Sequence, residues 1–97
     1  MREILIKQKV NNKVNEITDF IINEYQMPIT AINYAKRMLD FIDDLKNHPY
    51  ANAFCRQYFK NSSNFRCAVF EKKWIIKYSI TENYVIIEDI IWGASIK

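Results

Sequence analysis

Histidine and cysteine are scarce in this sequence of 97 residues, and long hydrophobic runs are absent. One histidine and two cysteines without close ligand spacing cannot complete a tetrahedral metal site within one chain, so neither a metal nor another cofactor is expected. The longest apolar runs, at residues 74–76 and 84–87, are far shorter than the roughly 18 to 20 residues that cross a bilayer. The sequence therefore predicts no transmembrane helix and no membrane partner.

The N-terminus and the cysteines bear on the expected compartment. The opening residues MREILIKQK have an acid at position 3 and only a brief apolar run, which does not match the longer apolar centre of a secretory signal. Export is therefore not expected, and a cytoplasmic location is predicted. Cys55 and Cys67 can pair in principle, but the expectation for a chain without an export signal is two reduced thiols.

The first half of the chain predicts a strand and a pair of helices. Residues 3–7 are rich in β-branched side chains with a strand-like period, and apolar residues recur at helical spacing over residues 10–25. Asn11 and Asn12 are the candidate N-cap residues of that helix. Pro28 suits the first turn of a second helix. Its expected apolar stripe consists of Ile32, Ala35, Leu39, Ile42 and Leu45, widened by Tyr34, Met38 and Phe41.

The second half predicts a three-stranded meander over residues 66–70, 74–80 and 84–92. In the middle strand Trp74, Ile76, Tyr78 and Ile80 share one face. In the last strand Val85, Ile87 and Ile91 are expected to oppose Tyr84, Ile86 and Ile90. Apolar residues on both faces suggest burial on both sides or an unfilled edge.

These elements define the expected fold, which is a single α+β domain over residues 1–97. It consists of an N-terminal strand, an antiparallel helical hairpin and a three-stranded antiparallel meander, with the apolar side of the helices packed on the sheet. Between hairpin and meander, Tyr50, Phe54 and Tyr58 recur at steps of four, which favours a short additional helix.

Positive charge is concentrated in one segment. Residues 50–73 hold five basic side chains and a single acidic one, whereas residues 1–49 are neutral. Arg56, Lys60 and Arg66 lie there among aromatic residues, a combination that can contact phosphate and stack on bases. A solvated face explains the same charges equally well, since a net charge of +3 is weak for a dedicated nucleic-acid binder.

The order of elements, with the stretches ITDFIINEY, AINYAKRMLDFIDDLKNHP, NFRCAVFEKKWIIKYSI and YVIIEDIIWG, resembles the RelE/ParE superfamily of bacterial type II toxins, and the ParE-like branch in particular. Leu45 with residues 47–49 is similar to the family's helix exit, and Phe65-Arg66 to its entry into the second strand. Tyr78 matches a tyrosine common in its third strand, and Gly93 fits its last one.

Departures from the family pattern concern catalysis. Trp92 stands where many relatives have histidine, and residues 94–96 stand where an arginine and further polar residues usually come. RNA cleavage of the RelE kind needs a cation for the developing charge and normally a proton donor and acceptor. Cations are available at Arg66, Lys72 and Lys73, but the catalytic set looks incomplete. Catalytic residues are therefore unknown, and enzyme activity is not the expected reading.

The resemblance implies a toxin that inhibits growth and serves plasmid stabilisation. Three readings stay open at this point. The first, which we favour, is a ParE-like toxin that binds an essential target, implied to be DNA gyrase, and is neutralised by a cognate antitoxin. The second is a ribosome-dependent endonuclease of the RelE type that cuts messenger RNA. The third is a member of the fold that has lost toxicity and only binds a partner. Without an antitoxin, a homodimer is expected from the amount of apolar surface.

Two sets of candidate residues follow. The target-binding candidates are Arg56, Lys60, Arg66, Lys72, Lys73, Tyr78 and Trp92. The antitoxin-binding candidates are Ile17, Ile21, Tyr34, Met38, Phe41, Ile87 and Ile91. Arg66 is expected either to bind an anion or to pair with Glu88 or Asp89. His48 is expected to be a helix-end residue near the last carbonyls.

Overall fold

Two helices packed on a four-stranded sheet make up the fold of the computed structural model, which describes residues 2–55 and 64–93. The elements in chain order are β1 (Glu3–Ile6), α1 (Gln8–Tyr25), α2 (Pro28–Asp44), a 3-10 turn (Leu45–Asn47), β2 (Arg66–Phe70), β3 (Trp74–Ile80) and β4 (Tyr84–Trp92). The predicted α+β fold, with strand, helical hairpin and meander in that order, is confirmed.

The strand order is β1-β4-β3-β2, which puts the last strand inside the sheet. β1 runs parallel to β4, while β4 with β3 and β3 with β2 pair antiparallel. The chain between the two parallel strands contains the helical hairpin, β2 and β3, which is long enough for the crossover that a parallel pair requires. Since both sides of β4 are hydrogen-bonded, the suggestion of an unfilled edge at this strand is wrong.

A β-bulge changes the face of the last residues of β4. Tyr78 pairs with Ile87 but Lys77 pairs with Asp89, so Glu88 is an extra residue in this strand. An extra residue shifts the side-chain alternation by one position. The predicted grouping of Ile91 with Ile87 is therefore wrong, and Ile90 joins the core instead.

The main core lies between the helices and one face of the sheet. Its largest fully buried side chains include Tyr78, Met38, Ile42, Leu45, Ile76 and Ile87. The predicted inward set of β3 belongs to this core: Ile76 and Tyr78 are buried in it, and Trp74 and Ile80 pack against it. A second small cluster lies on the opposite face, where Ile75 packs with Cys55, Cys67 and the partly buried Phe65.

Each helix differs from prediction in one respect: α1 in its N-cap residue and α2 in the stripe of residues that it buries. α1 begins at Gln8 with Lys7 as N-cap, so Asn11 and Asn12 lie inside the helix rather than at its start. In α2, Pro28 occupies the first turn as predicted. The buried stripe of α2, however, is Ala31, Met38, Ile42 and, in the following turn, Leu45. Within the described residues, no helix is long and apolar enough to span a membrane.

The α2 stripe was misplaced because the helix is apolar over a wide arc. Ile32 and Leu39 were expected inside, but they are 60% and 38% exposed. Each follows a buried residue, Ala31 and Met38, and consecutive helix residues point about 100° apart. The packing on the sheet selects one of two adjacent stripes that the sequence alone does not distinguish.

The segment after α2 also differs from prediction. Residues 50–54 contain turns and bends and no helix, and Phe54 forms an isolated antiparallel bridge with Arg66. Tyr58 lies outside the described residues. Cys55 and Cys67 form a disulfide, so the expectation of two reduced thiols is wrong for this structure. The bridge between their segments places the two Cα atoms 5.0 Å apart, a separation that a disulfide requires.

Candidate functional site

An open apolar cleft of about 350 Å³ lies between the helical hairpin and the end of the sheet where β2 turns into β3. We call it the aromatic cleft. Its lining residues are Ile17, Phe20, Ile21, Tyr25, Met27, Thr30, Tyr34, Lys73, Trp74 and Trp92. The cleft continues into a shallow groove along Glu16 and Ile17.

The aromatic cleft exists because α1 carries apolar side chains farther than the sheet covers them. At the start of the helix Val10 and Val14 are buried in the main core. Toward its end Phe20 is 56% exposed and its ring meets Tyr25 edge-on, with 6.3 Å between centroids. Exposed aromatic surface of this kind usually marks a binding site.

Two tryptophans form the sheet side of the cleft. Trp74 and Trp92 are paired in register across β3 and β4, and their rings meet at 61° with centroids 4.9 Å apart. The indole Nε1 of Trp74 donates a hydrogen bond of 3.0 Å to the hydroxyl of Tyr34. Burial, partly offset by this hydrogen bond, raises the pKa of Tyr34. The hydroxyl is therefore neutral at physiological pH and presents a polar group in an apolar wall.

Charged groups sit at the rim of the cleft near the β2–β3 turn. Arg37 donates to both carboxylate oxygens of Glu71, at 2.9 and 3.3 Å, and stacks over the Tyr34 ring at 5.2 Å. The hydrogen bond from Arg37 lowers the pKa of Glu71. At the same rim the carbonyl of Lys73 accepts a 2.7 Å hydrogen bond from the Gly93 amide. Arg37 and Glu71 thereby link α2 to the turn.

The structure brings together part of the predicted antitoxin-binding set. Ile17, Ile21 and Tyr34 line the cleft, and Ile91 borders the adjoining groove. Phe41 packs on the ring of Phe70, with 5.3 Å between centroids.

Two members of that set are core residues. Met38 and Ile87 are fully buried, so neither side chain can touch a partner in this conformation, and their prediction as contact residues is corrected accordingly. They were chosen because a buried and an exposed apolar residue look alike in the sequence.

The predicted target-binding residues do not form one surface. Trp92 lies in the aromatic cleft. Lys72 and Lys73 lie in the exposed β2–β3 turn, and Arg66 lies at the opposite end of β2, a strand of five residues that spans about 13 Å. Arg56 and Lys60 lie outside the described residues. Tyr78 is fully buried in the main core, so its side chain cannot contact a target directly.

Arg66 is held in a clamp made by the segment that precedes β2. Its guanidinium lies over the rings of Phe54 at 4.2 Å and Tyr50 at 5.1 Å. One of its terminal nitrogens donates a 2.6 Å hydrogen bond to the carbonyl of Asn52. Arg2 contacts the same Tyr50 ring at 5.4 Å. We call this group of residues, Tyr50, Asn52, Phe54 and Arg66, the arginine clamp.

The predicted pairing of Arg66 with an acidic residue of β4 is wrong. Glu88 pairs with Lys7 and accepts a hydrogen bond from Ser79. Asp89 pairs with Lys9 and Lys13 of α1. Both carboxylates are thus used to attach the helix to the sheet.

The single histidine is a surface residue at the helix exit. His48 lies 3.4 Å from the carboxylate of Asp44, one helical turn earlier, and its side chain is half exposed. It therefore contacts a carboxylate rather than the expected helix-end carbonyls. It is not part of the aromatic cleft or the arginine clamp.

Sequence reasoning missed Phe20 and Trp74 as site residues. Phe20 was outside the predicted apolar stripe of α1, and Trp74 was assigned to the packed face of β3. That stripe consists of Val10, Val14, Ile17, Ile21 and Tyr25. A signal was present for Phe20, since an aromatic residue next to the apolar stripe widens it beyond what a short sheet can cover.

Comparison with known proteins places this arrangement in a recognised fold. The sequence matches no protein-family model and no curated protein. Among solved structures, a chain of the chromosomal ParDE TA system from P. aeruginosa superposes with a TM-score of 0.80 at 13% identity, over 95% of this chain and 96% of that one. The chain has a ParE/RelE-like fold.

A second solved structure shares the RelE/ParE fold at a greater distance. YafQ from E. coli strain BL21(DE3) superposes with a TM-score of 0.53 at 16% identity, over 98% of this chain and 97% of that chain. Both similarities extend along almost the whole chain. The shared arrangement therefore includes the helical hairpin together with the sheet, and not just one part of them. At these identities the comparisons establish the fold.

Proposed function

We propose that this protein is the toxin of a bacterial type II toxin–antitoxin pair, that it acts by binding an essential target, and that a cognate antitoxin neutralises it. The ParE-like resemblance makes DNA gyrase the proposed target. The observation that carries the proposal is the combination of the RelE/ParE toxin fold with an aromatic cleft that the chain itself leaves open. Gyrase acts in the cytoplasm, which is accordingly the proposed location.

The aromatic cleft suits an amphipathic segment of an antitoxin. A helix laid in a groove binds through apolar side chains spaced one turn apart, and aromatic residues usually supply most of the binding energy. The floor of Trp74 and Trp92 offers apolar contact area, and Lys73 at the rim offers a positive charge to an acidic residue of the partner.

A nuclease of the RelE kind has less support among the described residues. Lys72 and Lys73 are at the other end of β2 from Arg66, and the recorded neighbours of Arg66 are rings and a carbonyl. Cleavage through a 2′-hydroxyl needs a cation together with groups that move a proton. The arginine clamp has the cation but no carboxylate or imidazole among its members.

Induced expression in a bacterium, followed by two readouts, tests the mode of action. DNA supercoiling reports on gyrase, and the integrity of messenger RNA reports on ribosome-dependent cleavage. We expect relaxed or cleaved DNA with intact transcripts. Cut transcripts with normal supercoiling would instead establish the RelE-type activity, and normal growth would indicate a non-toxic member of the fold.

Binding of the protein encoded by the neighbouring reading frame tests the antitoxin surface. We expect Phe20→Ser and Trp92→Ser each to weaken this binding by about tenfold or more, because each removes an aromatic contact from the cleft. Ile29→Ser is the matched control, since Ile29 is 74% exposed on α2 but does not line the cleft. Titration calorimetry measures the affinities. Equal losses in all three variants would place the partner elsewhere.

A further inference from the structure

The Cys55–Cys67 disulfide joins the segment before β2 to the edge of the sheet. Two backbone hydrogen bonds flank it, from the Cys55 amide to the Phe65 carbonyl at 2.8 Å and from the Cys67 amide to the Ala53 carbonyl at 3.1 Å. These two bonds, the disulfide and the stacking of Arg66 on Phe54 attach residues 53–55 to β2 and the residue before it. They form a short antiparallel pair at the outside of the sheet.

The arginine clamp depends on this attachment. Phe54 lies between Ala53 and Cys55, so its ring stays on Arg66 only while the short pair is formed. Tyr50 and Asn52 precede it in the same segment. The disulfide therefore fixes Phe54 on the guanidinium, whereas Tyr50 and Asn52 are also held by hydrogen bonds with Arg2 and Tyr78.

The main core is independent of the disulfide. Cys55 and Cys67 belong to the small cluster on the outer face, whereas the main core contains neither. A satellite cluster with few buried side chains opens at lower free energy than the core of its domain. Breaking the disulfide is therefore expected to release residues 53–55 from β2 while the helices and the sheet stay folded.

The surroundings of Cys67 favour attack by an anionic thiolate. Cys67 keeps 6% of its surface exposed, whereas Cys55 has none. Lys77 is its register partner on β3, so this cation lies on the same face of the sheet as Cys67. Positive charge near a disulfide attracts the attacking thiolate and raises the rate of exchange.

We propose that Cys55–Cys67 is a thiol-responsive switch that holds Phe54 on Arg66 in the arginine clamp when oxidised and releases Phe54 when reduced. The reductant is a small-molecule thiol of the glutathione class. Its thiolate attacks the sulfur of Cys67, the bond between the two cysteines breaks, and Cys55 leaves as a thiolate. A second thiol molecule attacks the mixed disulfide and frees Cys67. The two cysteines take up two electrons and two protons, and the two reductant molecules become one disulfide.

The consequence is that the surroundings of the Arg66 guanidinium depend on whether the disulfide is oxidised or reduced. In the oxidised state Arg66 is stacked between two rings in one orientation. In the reduced state the Phe54 ring leaves the guanidinium, so Arg66 loses one of its two stacking partners and gains freedom on that side, while Tyr50 and the Asn52 carbonyl stay in place. The aromatic cleft lies at the other end of the sheet and is not affected, so the switch does not depend on the proposed function.

Amide hydrogen exchange of the full chain tests the switch. The protein is compared in buffers of oxidised and of reduced glutathione. We expect the protection of the Cys55 and Cys67 amides to fall by about tenfold or more on reduction. The amide of Lys73, bonded to the Phe70 carbonyl at 3.0 Å at the other end of β2, is the internal control and keeps its protection.

A second readout follows Arg66 itself by NMR. Stacking on aromatic rings shifts the Nε–Hε resonance of an arginine upfield, and we expect this shift to become smaller on reduction, because Phe54 leaves the guanidinium and Tyr50 stays. The double variant Cys55→Ser/Cys67→Ser should match the reduced protein in both buffers, with unchanged far-UV circular dichroism.

Several results would overturn the switch. One is full protection of both amides in the reduced protein, and another is a disulfide that glutathione leaves intact. Refolding in a glutathione buffer without forming the disulfide would also contradict it. Finally, loss of protection that spreads to Lys73 and the core strands would make the disulfide a general structural crosslink.

Discussion

Tyr78 illustrates how a single polar atom in the core constrains its surroundings. Its side chain is fully buried, and its hydroxyl donates a 2.7 Å hydrogen bond to the Pro49 carbonyl. The amide of Asn52 donates to the same hydroxyl at 3.3 Å. Burial raises the pKa of Tyr78, so the hydroxyl stays a donor at all physiological pH values. The residue thus attaches the chain after α2 to the middle of the sheet.

Removal of this hydroxyl should cost stability. We expect Tyr78→Phe to lower the free energy of unfolding by about 1 to 3 kcal/mol, because the Pro49 carbonyl is left without its donor. Urea denaturation monitored by tryptophan fluorescence measures the change. Tyr84→Phe serves as the control, since Tyr84 is 40% exposed, and an equal loss in both variants would contradict the role given to the buried hydroxyl.

Backbone conformation at single residues reflects the presence of only one glycine in the sequence. Gln26 closes α1 with a φ of 51°, and the turn between β2 and β3 has Glu71 at 47° and Lys72 at 61°. These left-handed conformations cost a residue with a Cβ atom roughly 1 kcal/mol relative to glycine. The chain therefore carries local strain at the end of α1 and in the β2–β3 turn.

Glycine at these positions should stabilise the protein. We expect Gln26→Gly and Lys72→Gly each to raise the free energy of unfolding by about 0.5 to 1 kcal/mol. Asn23→Gly, in the last turns of α1, should instead lower it by a similar amount. Thermal unfolding of the three variants separates the two directions, and a loss of stability in all three would refute the strain argument.

At the scale of elements, the bulge in β4 attaches α1 to the sheet. Burial opposes the ionisation of Glu88, but hydrogen bonds from Lys7 and Ser79 outweigh it and leave its pKa below the ordinary value. Asp89 behaves in the same way. Burial raises its pKa, but hydrogen bonds from Lys13 and the Ile90 amide lower it by more than burial raises it, so its pKa lies below the ordinary value. Both ions are therefore more stable in the folded chain than in the unfolded one.

This attachment predicts a loss of stability in acid. A carboxylate with a lowered pKa in the folded state stabilises the protein fully above its unfolded pKa, near 4, and loses that contribution as the pH falls through the folded value. We expect the free energy of unfolding to decline below about pH 4. The variant Glu88→Gln/Asp89→Asn should be less stable at pH 7, by about 1 kcal/mol per carboxylate, and should decline less steeply in acid.

Urea unfolding between pH 3 and pH 7 measures both effects. Asp43→Asn is the control, because Asp43 pairs with Lys46 on the exposed surface of the helix end, and it should change little. Parallel curves for the wild type and the double variant would show that other groups govern the acid limit.

Most elements were predictable because they are determined locally. The alternation in β3 and the proline at the first turn of α2 each specify a structure within a few residues. The predicted short helix is absent over residues 50–54 for the opposite reason, and residues 56–58 lie outside the described residues. Aromatic residues at steps of four favour a helix locally, but Phe54 pairs with β2 and Tyr50 stacks on Arg66, both of which are distant in sequence.

At the scale of the whole molecule, two surfaces lie at opposite ends of β3. The aromatic cleft includes Trp74 at its beginning, and the pocket beside the arginine clamp includes Ser79 and Ile80 at its end. A strand of seven residues spans about 20 Å. One partner helix in the cleft therefore leaves the arginine clamp accessible to another molecule.

The open cleft also predicts self-association of the isolated protein. Exposed aromatic surface is buried when two copies meet, which is favourable in water. We expect analytical ultracentrifugation to show a concentration-dependent dimer that Phe20→Ser shifts toward monomer, while Ile29→Ser has a smaller effect. If the protein stays monomeric at all accessible concentrations, the cleft is not a site of self-association.

The sequence by itself determined the order of strands and helices, the inward face of β3 and the type of fold, because periodicity and turn residues act over a few positions. Only the tertiary structure decided which of two stripes of α2 is buried, that β4 lies inside the sheet, and that Cys55 meets Cys67. Those outcomes depend on contacts between residues far apart in the chain. The aromatic cleft belongs to the same class, since it arises from how far the helices extend beyond the sheet.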